Sequence, residues 1–323
     1  MSYADKVFKD MCKNILENGV SDENVETRPI WTDTNTKAKT IKTFGVVNRY
    51  DLRKEFPAIT LRKTYIKSAF DELLWIWQKK SNNVNDLNSK IWNEWADENG
   101  FIGTAYGYQM KKKHIHGSFK LDSKEETTEK FEEVNRMIRR ENYPSMFPTC
   151  SLETNTVTFQ VDQTDGVLYD LKHNPYSRGI VTTLWDPSDL HSMNLRPCVW
   201  SVTFNVTPPR KRGSKPVLNM ILNQRSSDVL VANNWNVCQY ALLLMMMAQV
   251  SNMEAGELVH CIADCHIYDR HIDMVKELIE REEYPAPRVY LNPGKKDFYQ
   301  FTVDDLEIKD YRHGEKLDIP VAV

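Results

Sequence analysis

Leu195-Arg196-Pro197-Cys198 runs directly into Val199-Trp200-Ser201-Val202-Thr203-Phe204-Asn205-Val206, a β-branched and aromatic run that reads as a strand. Proline fixes its own φ and biases Arg196 towards extended backbone, so Cys198 stands on rigid chain at the entrance to that strand. A thiol held there can act as a nucleophile, whereas a free cysteine with no such setting is an inert packing residue. On either side the pattern stays regular. Gly179 to Trp185 is strand-like and Asp186 to Met193 a short turn and helix, while Pro208 to Pro216 is a basic, turn-rich hairpin tip leading into an alternating strand over Val217 to Arg225. Trp235 to Gln249 is apolar on nearly all sides, through Val237, Tyr240, Ala241, Leu244, Met245 and Ala248, which makes it the core helix and Met245-Met246-Met247 packing residues. Glu257 to Ile267 is a further strand, His271 to Arg281 a helix, and Val289 to Asp310 a final strand region.

Upstream, Tyr3, Val7, Met11 and Ile15 recur at helical spacing over residues 3 to 18, and Asn18-Gly19 ends the run. Ile41 to Val47 alternates as a strand. Lys67 to Gln78 carries a wide apolar face with Glu72 inside it; such a carboxylate is either exposed on the far side or, if buried beside a ligand, a proton carrier with a raised pKa. Ile91-Trp92-Asn93-Glu94-Trp95 puts two indoles three apart on one helical face. Residues 111 to 160 read differently, as solvated surface with one helix, broken at Pro144 and Pro148, and are expected to be an inserted excursion. His114 and His116 lie in it as surface residues. Strands and helices mix without regular βαβ alternation, so the expected fold is α+β: a single large domain over 1–323 with a large mixed sheet flanked by helices.

The 323 residues carry a net charge of -3, which gives no broad footprint for nucleic acid and leaves any anionic ligand to a few placed arginines. No apolar run reaches the ~18 residues that cross a bilayer, and Met1 to Lys6 lacks the core of a signal peptide, so a cytoplasmic place is expected. Cys12, Cys150, Cys198, Cys238, Cys261 and Cys265 form no paired CxxC motifs; free thiols and no metal are expected.

Ten stretches, in order and reaching the last residue, together resemble the folate-dependent thymidylate synthase family. They are Phe56-Pro57, Glu72-Leu73-Leu74-Trp75, Ile91 to Asp97, Tyr106-Gly107-Tyr108-Gln109, Asn174-Pro175-Tyr176-Ser177-Arg178, Pro197-Cys198, Gln224-Arg225-Ser226-Ser227-Asp228, Trp235-Asn236, Asp264 to Tyr268, and Val321-Ala322-Val323. The resemblance implies a sheet-to-sheet homodimer that converts dUMP to dTMP, with 5,10-methylenetetrahydrofolate as one-carbon and hydride donor. Cys198 would attack C6 of the uracil. Glu72, Tyr106 and water would manage protons at O4 and C5, with Arg225, Asn236 and Asp228 completing the catalytic set. Arg28, Arg225 and Ser226, joined by Arg178 from the other subunit, would hold the phosphate. Gln224, Asp228 and Asn236 would meet the nucleotide, Asn236 pairing with O4 and N3–H of the ring, and His266 and Tyr268 would hold the ribose. Trp92, Trp95, Leu195, Asp228, Ala232 and Trp235 would line the folate, with Val323 closing over it as a lid.

The chain departs from the family pattern at four places. Gly179 follows Arg178 where a second arginine is common, and Val199 replaces a frequent histidine. Ala232-Asn233-Asn234-Trp235 replaces a glycine, proline and phenylalanine on the folate side, and Ala263 replaces a glycine. Two other readings follow from the same residues. A pyrimidine hydroxymethylase of the same fold would let water quench the exocyclic methylene, and a non-catalytic protein would bind nucleotide, or its own messenger RNA, through Arg210 to Lys215.

Overall fold

The structure, a computed structural model, describes residues 1–323. Its first half runs α1 (Tyr3–Asn18), β1 (Val20–Ser21), β2 (Ile30–Trp31), β3 (Thr36–Lys37), β4 (Thr40–Asp51), α2 (Ile66–Trp77), α3 (Gly107–Met110), β5 (His114–Lys120), α4 (Lys124–Glu141), β6 (Phe147–Ser151), β7 (Thr156–Val161) and α5 (Gln163–His173). The second half continues with β8 (Val181–Thr183), β9 (Val199–Thr207), β10 (Val217–Asp228), α6 (Asn234–Val250), β11 (Glu254–Tyr268), α7 (Ile272–Glu280), β12 (Arg288–Leu291) and β13 (Leu306–Lys309). The architecture is α+β, built on one six-stranded mixed sheet in the order β1-β4-β11-β10-β9-β8. Only β10 and β11 pair in parallel.

Local chemistry explains the elements that place the site. The Ser2 side chain accepts the Ala4 N–H to start α1, and the Gly19 N–H closes it on the Ile15 carbonyl. α6 is buried on nearly every side, as its composition requires, and packs between α2 and the inner face of the sheet. A π-helical segment, Val229–Asn233, joins β10 to α6 and is capped by the Asp228 carboxylate, whose Oδ1 accepts the Leu230 and Val231 N–H groups at 3.0 and 3.1 Å. Between β9 and β10 the register shifts at Asn223/Gln224, leaving Trp200 as a bulge two residues after Cys198. Bulges re-aim the chain beside them, and here the Arg225 N–H bonds the Cys198 carbonyl at 2.8 Å.

Two regions differ from what the residues alone imply. The segment from 111 to 160 is more than solvated surface: β5, β7 and β6 form an antiparallel sheet under α4, burying Val134, Val157 and Phe159. In β7 the sequence alternates strictly, with Val157, Phe159 and Val161 inward and Thr156, Thr158 and Gln160 outward, and Pro148 is tolerated because β6 is an edge strand. His116 in β5 is half-buried and meets the Asp170 carboxylate at 3.1 Å, a partner supplied by α5. Trp92 and Trp95 sit around a single 3-10 turn, Asn93–Trp95, where residues three apart eclipse.

Candidate active site

A cleft of about 690 Å³ opens where the C-terminal ends of β10 and β11 meet the start of β9, α2 and α6. The parallel pairing places Ser226 opposite Asp264 and Asp228 opposite His266, so residues almost 40 apart in sequence share one rim. Cys198 lines the cleft with its backbone N–H donated to the Tyr106 hydroxyl at 3.2 Å. Tyr106 holds a positive φ of 48°, a strained backbone for a side chain of that size. Arg225 grips the cysteine loop: its Nε donates to the Pro197 carbonyl at 2.9 Å and its Nη2 to that of Arg196 at 2.7 Å. Burial pushes the Cys198 thiol up, and the guanidinium charges of Arg225 and Arg28 pull against it without prevailing. Nearby arginines thus favour the thiolate, but burial outweighs them in the free protein.

Glu72 is the most perturbed carboxyl in the cleft. It projects from α2 with 4% exposure and is raised to about 7 by burial, opposed by two indole donors. Trp92 Nε1 donates to one carboxylate oxygen at 3.0 Å and Trp235 Nε1 to the other at 2.6 Å. Trp235 therefore supplies an N–H that a phenylalanine at this position would lack.

Asn236 sits in the first turn of α6 with its Oδ1 accepting from Gln224 Nε2 at 3.1 Å. His266 Nδ1 meets the Asp264 carboxylate at 2.8 Å, and Tyr268 stands edge-on to its ring; both line the cleft. Arg28, Ser226 and Asp228 complete the polar rim, while Trp95, Leu195 and Ala232 form part of the apolar wall. The C-terminal tail crosses this wall. Val323 and Ile30 exchange two backbone hydrogen bonds at 2.9 and 3.0 Å, and the Pro320 carbonyl contacts His271 Nε2 at 2.8 Å.

One expected site residue lies elsewhere. Val323 is held against Ile30, and Val321 and Ala322 line the cleft. Arg178, expected to serve the other copy, is exposed on the loop after α5 and does not line the cleft of its own chain. Other lining residues carried no individual signal: Gln239, Val231, Leu317 and Ile319. Gln239 was accessible by spacing, three residues after Asn236 on one helix, and the alternation Leu317, Ile319, Val321 marks the tail as one-sided. No group of three or more His, Cys, Asp or Glu side chains is placed to hold a metal ion.

A thiol on a clamped loop, a carboxyl raised to about 7 by burial and an arginine-bearing rim meet in one cleft, the kind of arrangement found in enzyme active sites. The thymidylate synthase family model matches residues 6–323. The chain is 40% identical to a thymidylate synthase of Bacillus subtilis subsp. natto and 39% identical to that of Bacillus phage phi3T, each over the full length of both chains. The solved structure of the thermostable thymidylate synthase A from Bacillus subtilis superposes with a TM-score of 0.80 at 39% identity, again covering all of both chains. The chain belongs to the thymidylate synthase family. Its activity is the reductive methylation of dUMP to dTMP, a methyltransferase reaction in which methylenetetrahydrofolate is the co-substrate.

Proposed function

We propose that Cys198 is the nucleophile of this reaction and adds as thiolate to C6 of the uracil ring, moving an electron pair onto C5 and O4. C5 then bonds to the folate's one-carbon unit and loses its proton, the carbon–nitrogen bond to the folate breaks to leave an exocyclic methylene, and hydride from the released tetrahydrofolate adds to that methylene as the Cys198 thiolate leaves C6, giving dTMP and dihydrofolate. Glu72, raised to about 7, holds or releases a proton near neutral pH, and Tyr106 acts with it through water at O4 and C5. Arg225 combines a phosphate contact with the clamp on Pro197 and Arg196. Arg28 and Ser226 join it on the phosphate, His266 and Tyr268 hold the ribose, and Gln224 and Asn236 read the ring.

The folate lies against Trp92, Trp95, Leu195, Ala232 and Trp235, with Asp228 below and the tail over it. Trp95 supports this placement, since its buried indole N–H has no protein partner.

The working unit is a homodimer, sheet against sheet, with Arg178 reaching the phosphate of the other copy. The outer face of the sheet supports it. Val47 in β4, Ile221 in β10 and Val181 in β8 are each 40% exposed or more on the face turned away from Tyr50, Leu222 and Thr182, set among Arg49, Asn223 and Thr203. A second copy against this mixed face would take those apolar side chains out of water. Residues 1–323 act as one domain with 111–160 inserted, in the cytoplasm; no helix is long and apolar enough to cross a membrane.

The observation that carries the reading is the meeting, in one cleft, of Cys198 on its Arg225-clamped loop with Glu72 between two indoles. Purified protein with dUMP and methylenetetrahydrofolate should release dihydrofolate in step with dTMP, and Cys198→Ala should release neither. Turnover surviving in Cys198→Ala would remove the nucleophile assignment.

A further inference from the structure

Beneath the ring-reading residues lies a histidine that does not itself line the cleft. His260 points inward from β11, is 0% exposed, and places Nε2 2.7 Å from Gln224 Oε1, while its Nδ1 has no partner. Gln224, on the same inner face of β10, uses its amide nitrogen twice: on the Ser226 carbonyl at 2.9 Å and on Asn236 Oδ1 at 3.1 Å.

The Ser226 contact settles the proton pattern. A backbone carbonyl can only accept, so the Gln224 nitrogen must face it and Oε1 must face His260. His260 is then the donor, neutral, with its proton on Nε2. A proton on Nδ1 would set two lone pairs 2.7 Å apart and strand a buried N–H, the costlier of the two orphans. Burial also holds the ring neutral, depressing its pKa to about 3. The Gln224 nitrogen in turn obliges Asn236 to turn Oδ1 towards it and Nδ2 towards Gln239 Oε1, 3.4 Å away.

We infer that His260 is a specificity-determining positioning residue: its Nε2–H, through Gln224, locks the Asn236 carboxamide in the one orientation that accepts N3–H and donates to O4 of uracil. Cytosine presents a bare N3 and an amino group, so it would meet the locked amide with two repulsions. Flipping Asn236 to suit it breaks the bond to Gln224, and flipping Gln224 breaks those to Ser226 and His260. Uracil choice is thus set two side chains away from the ring. The inference rests on the reading that Asn236 pairs with the pyrimidine.

The test is calorimetric binding of dUMP and of dCMP to the full-length protein and to His260→Leu. Loss of the lock should weaken dUMP and relieve dCMP, narrowing the ratio of dissociation constants roughly tenfold, the scale of one hydrogen bond. A ratio unchanged while both affinities fall together would show a merely structural histidine and overturn the inference. Asn236→Ala separates the two layers. If it narrows the ratio and His260→Leu does not, only the role of His260 fails; if neither narrows it, the pairing of Asn236 with the ring fails as well. Should His260→Leu not fold, nitrogen-15 NMR of the wild-type imidazole decides, since a proton found on Nδ1 overturns the inference and one on Nε2 supports it.

Discussion

The two walls of the cleft are built on opposite plans. On the pyrimidine wall the central groups are held by hydrogen bonds: the Cys198 backbone N–H to Tyr106, Arg225 to the carbonyls of the cysteine loop, Asn236 through Gln224 to His260, and Glu72 to two indoles. The folate wall is apolar surface from Trp95, Leu195, Val231 and Ala232, covered by a tail held at its end by Ile30 and His271. Hydrogen-bonded networks fix atoms to within fractions of an ångström, as covalent addition demands. Apolar walls fix area, which suits a large flat ligand that must enter, react and leave. Substitutions on the first wall should therefore strike turnover, and those on the second should strike folate affinity.

The sharpest break of that contrast is Cys198→Ala. Turnover should fall by at least about 10³-fold while dUMP binding changes less than about threefold, because the thiol acts after the nucleotide is seated. Single-turnover assay and calorimetry give the two numbers. Parallel losses in both would mean the cysteine is part of the binding surface.

Glu72→Gln comes next. It keeps the shape but can accept from only one of the two indoles, and it cannot exchange a proton, so kcat should drop about 10²- to 10³-fold and the pH–rate profile should lose its limb near pH 7. The same carboxyl also leaves a mark on stability. Its folded pKa, about 7, lies above the ordinary 4.5, so the native protein holds the proton more tightly and loses stability as pH rises through that window. Denaturant unfolding should show the gap between Glu72→Gln and the parent growing with pH, by roughly 3 kcal/mol once above pH 7. A gap independent of pH would place the carboxyl in water.

Ending the chain at Pro320 tests the other wall. Without Val321 to Val323 the Ile30 pairing is lost, and KM for folate should rise about tenfold with dUMP affinity unchanged within about twofold. Water reaching the exocyclic methylene would appear as hydroxymethylated nucleotide by mass. A tail that mattered only to dUMP would merge the two walls.

How much of this was readable beforehand divides along the same line. Cys198 announced itself through the proline before it and the strand after it, and α6 through an apolar pattern with no polar face, because both signals are local in sequence. The sheet face that remains exposed follows from alternation in β4 and β10. What stayed hidden depends on pairings that no local pattern encodes. Trp235 reaches Glu72 across 163 residues, and His260 reaches Gln224 only because β10 and β11 run in parallel. Neither histidine nor glutamine at those positions looks unusual alone. The tail misled in a different way: its last residue looked like the lid, yet backbone pairing with Ile30 occupies Val323 and leaves Val321 and Ala322 to face the cleft.

Trp235 is the residue on which the contrast is finest, for its ring belongs to the folate wall and its N–H to the pyrimidine wall. Trp235→Phe keeps the first role and deletes the second. Losing a 2.6 Å donor removes one of the groups that favour the Glu72 carboxylate, which penalises the charged form in a site where burial already penalises it. The Glu72 limb of the pH–rate profile should then move from near 7 to higher pH by about one unit, with less than about threefold change in activity at the new optimum. The direction holds whichever protonation state the step requires, because only the midpoint is read. A midpoint that stays put while KM for folate rises would assign the indole wholly to the folate wall; a midpoint that moves with KM unchanged would make residue 235 the point at which the apolar wall tunes the acid on the other side.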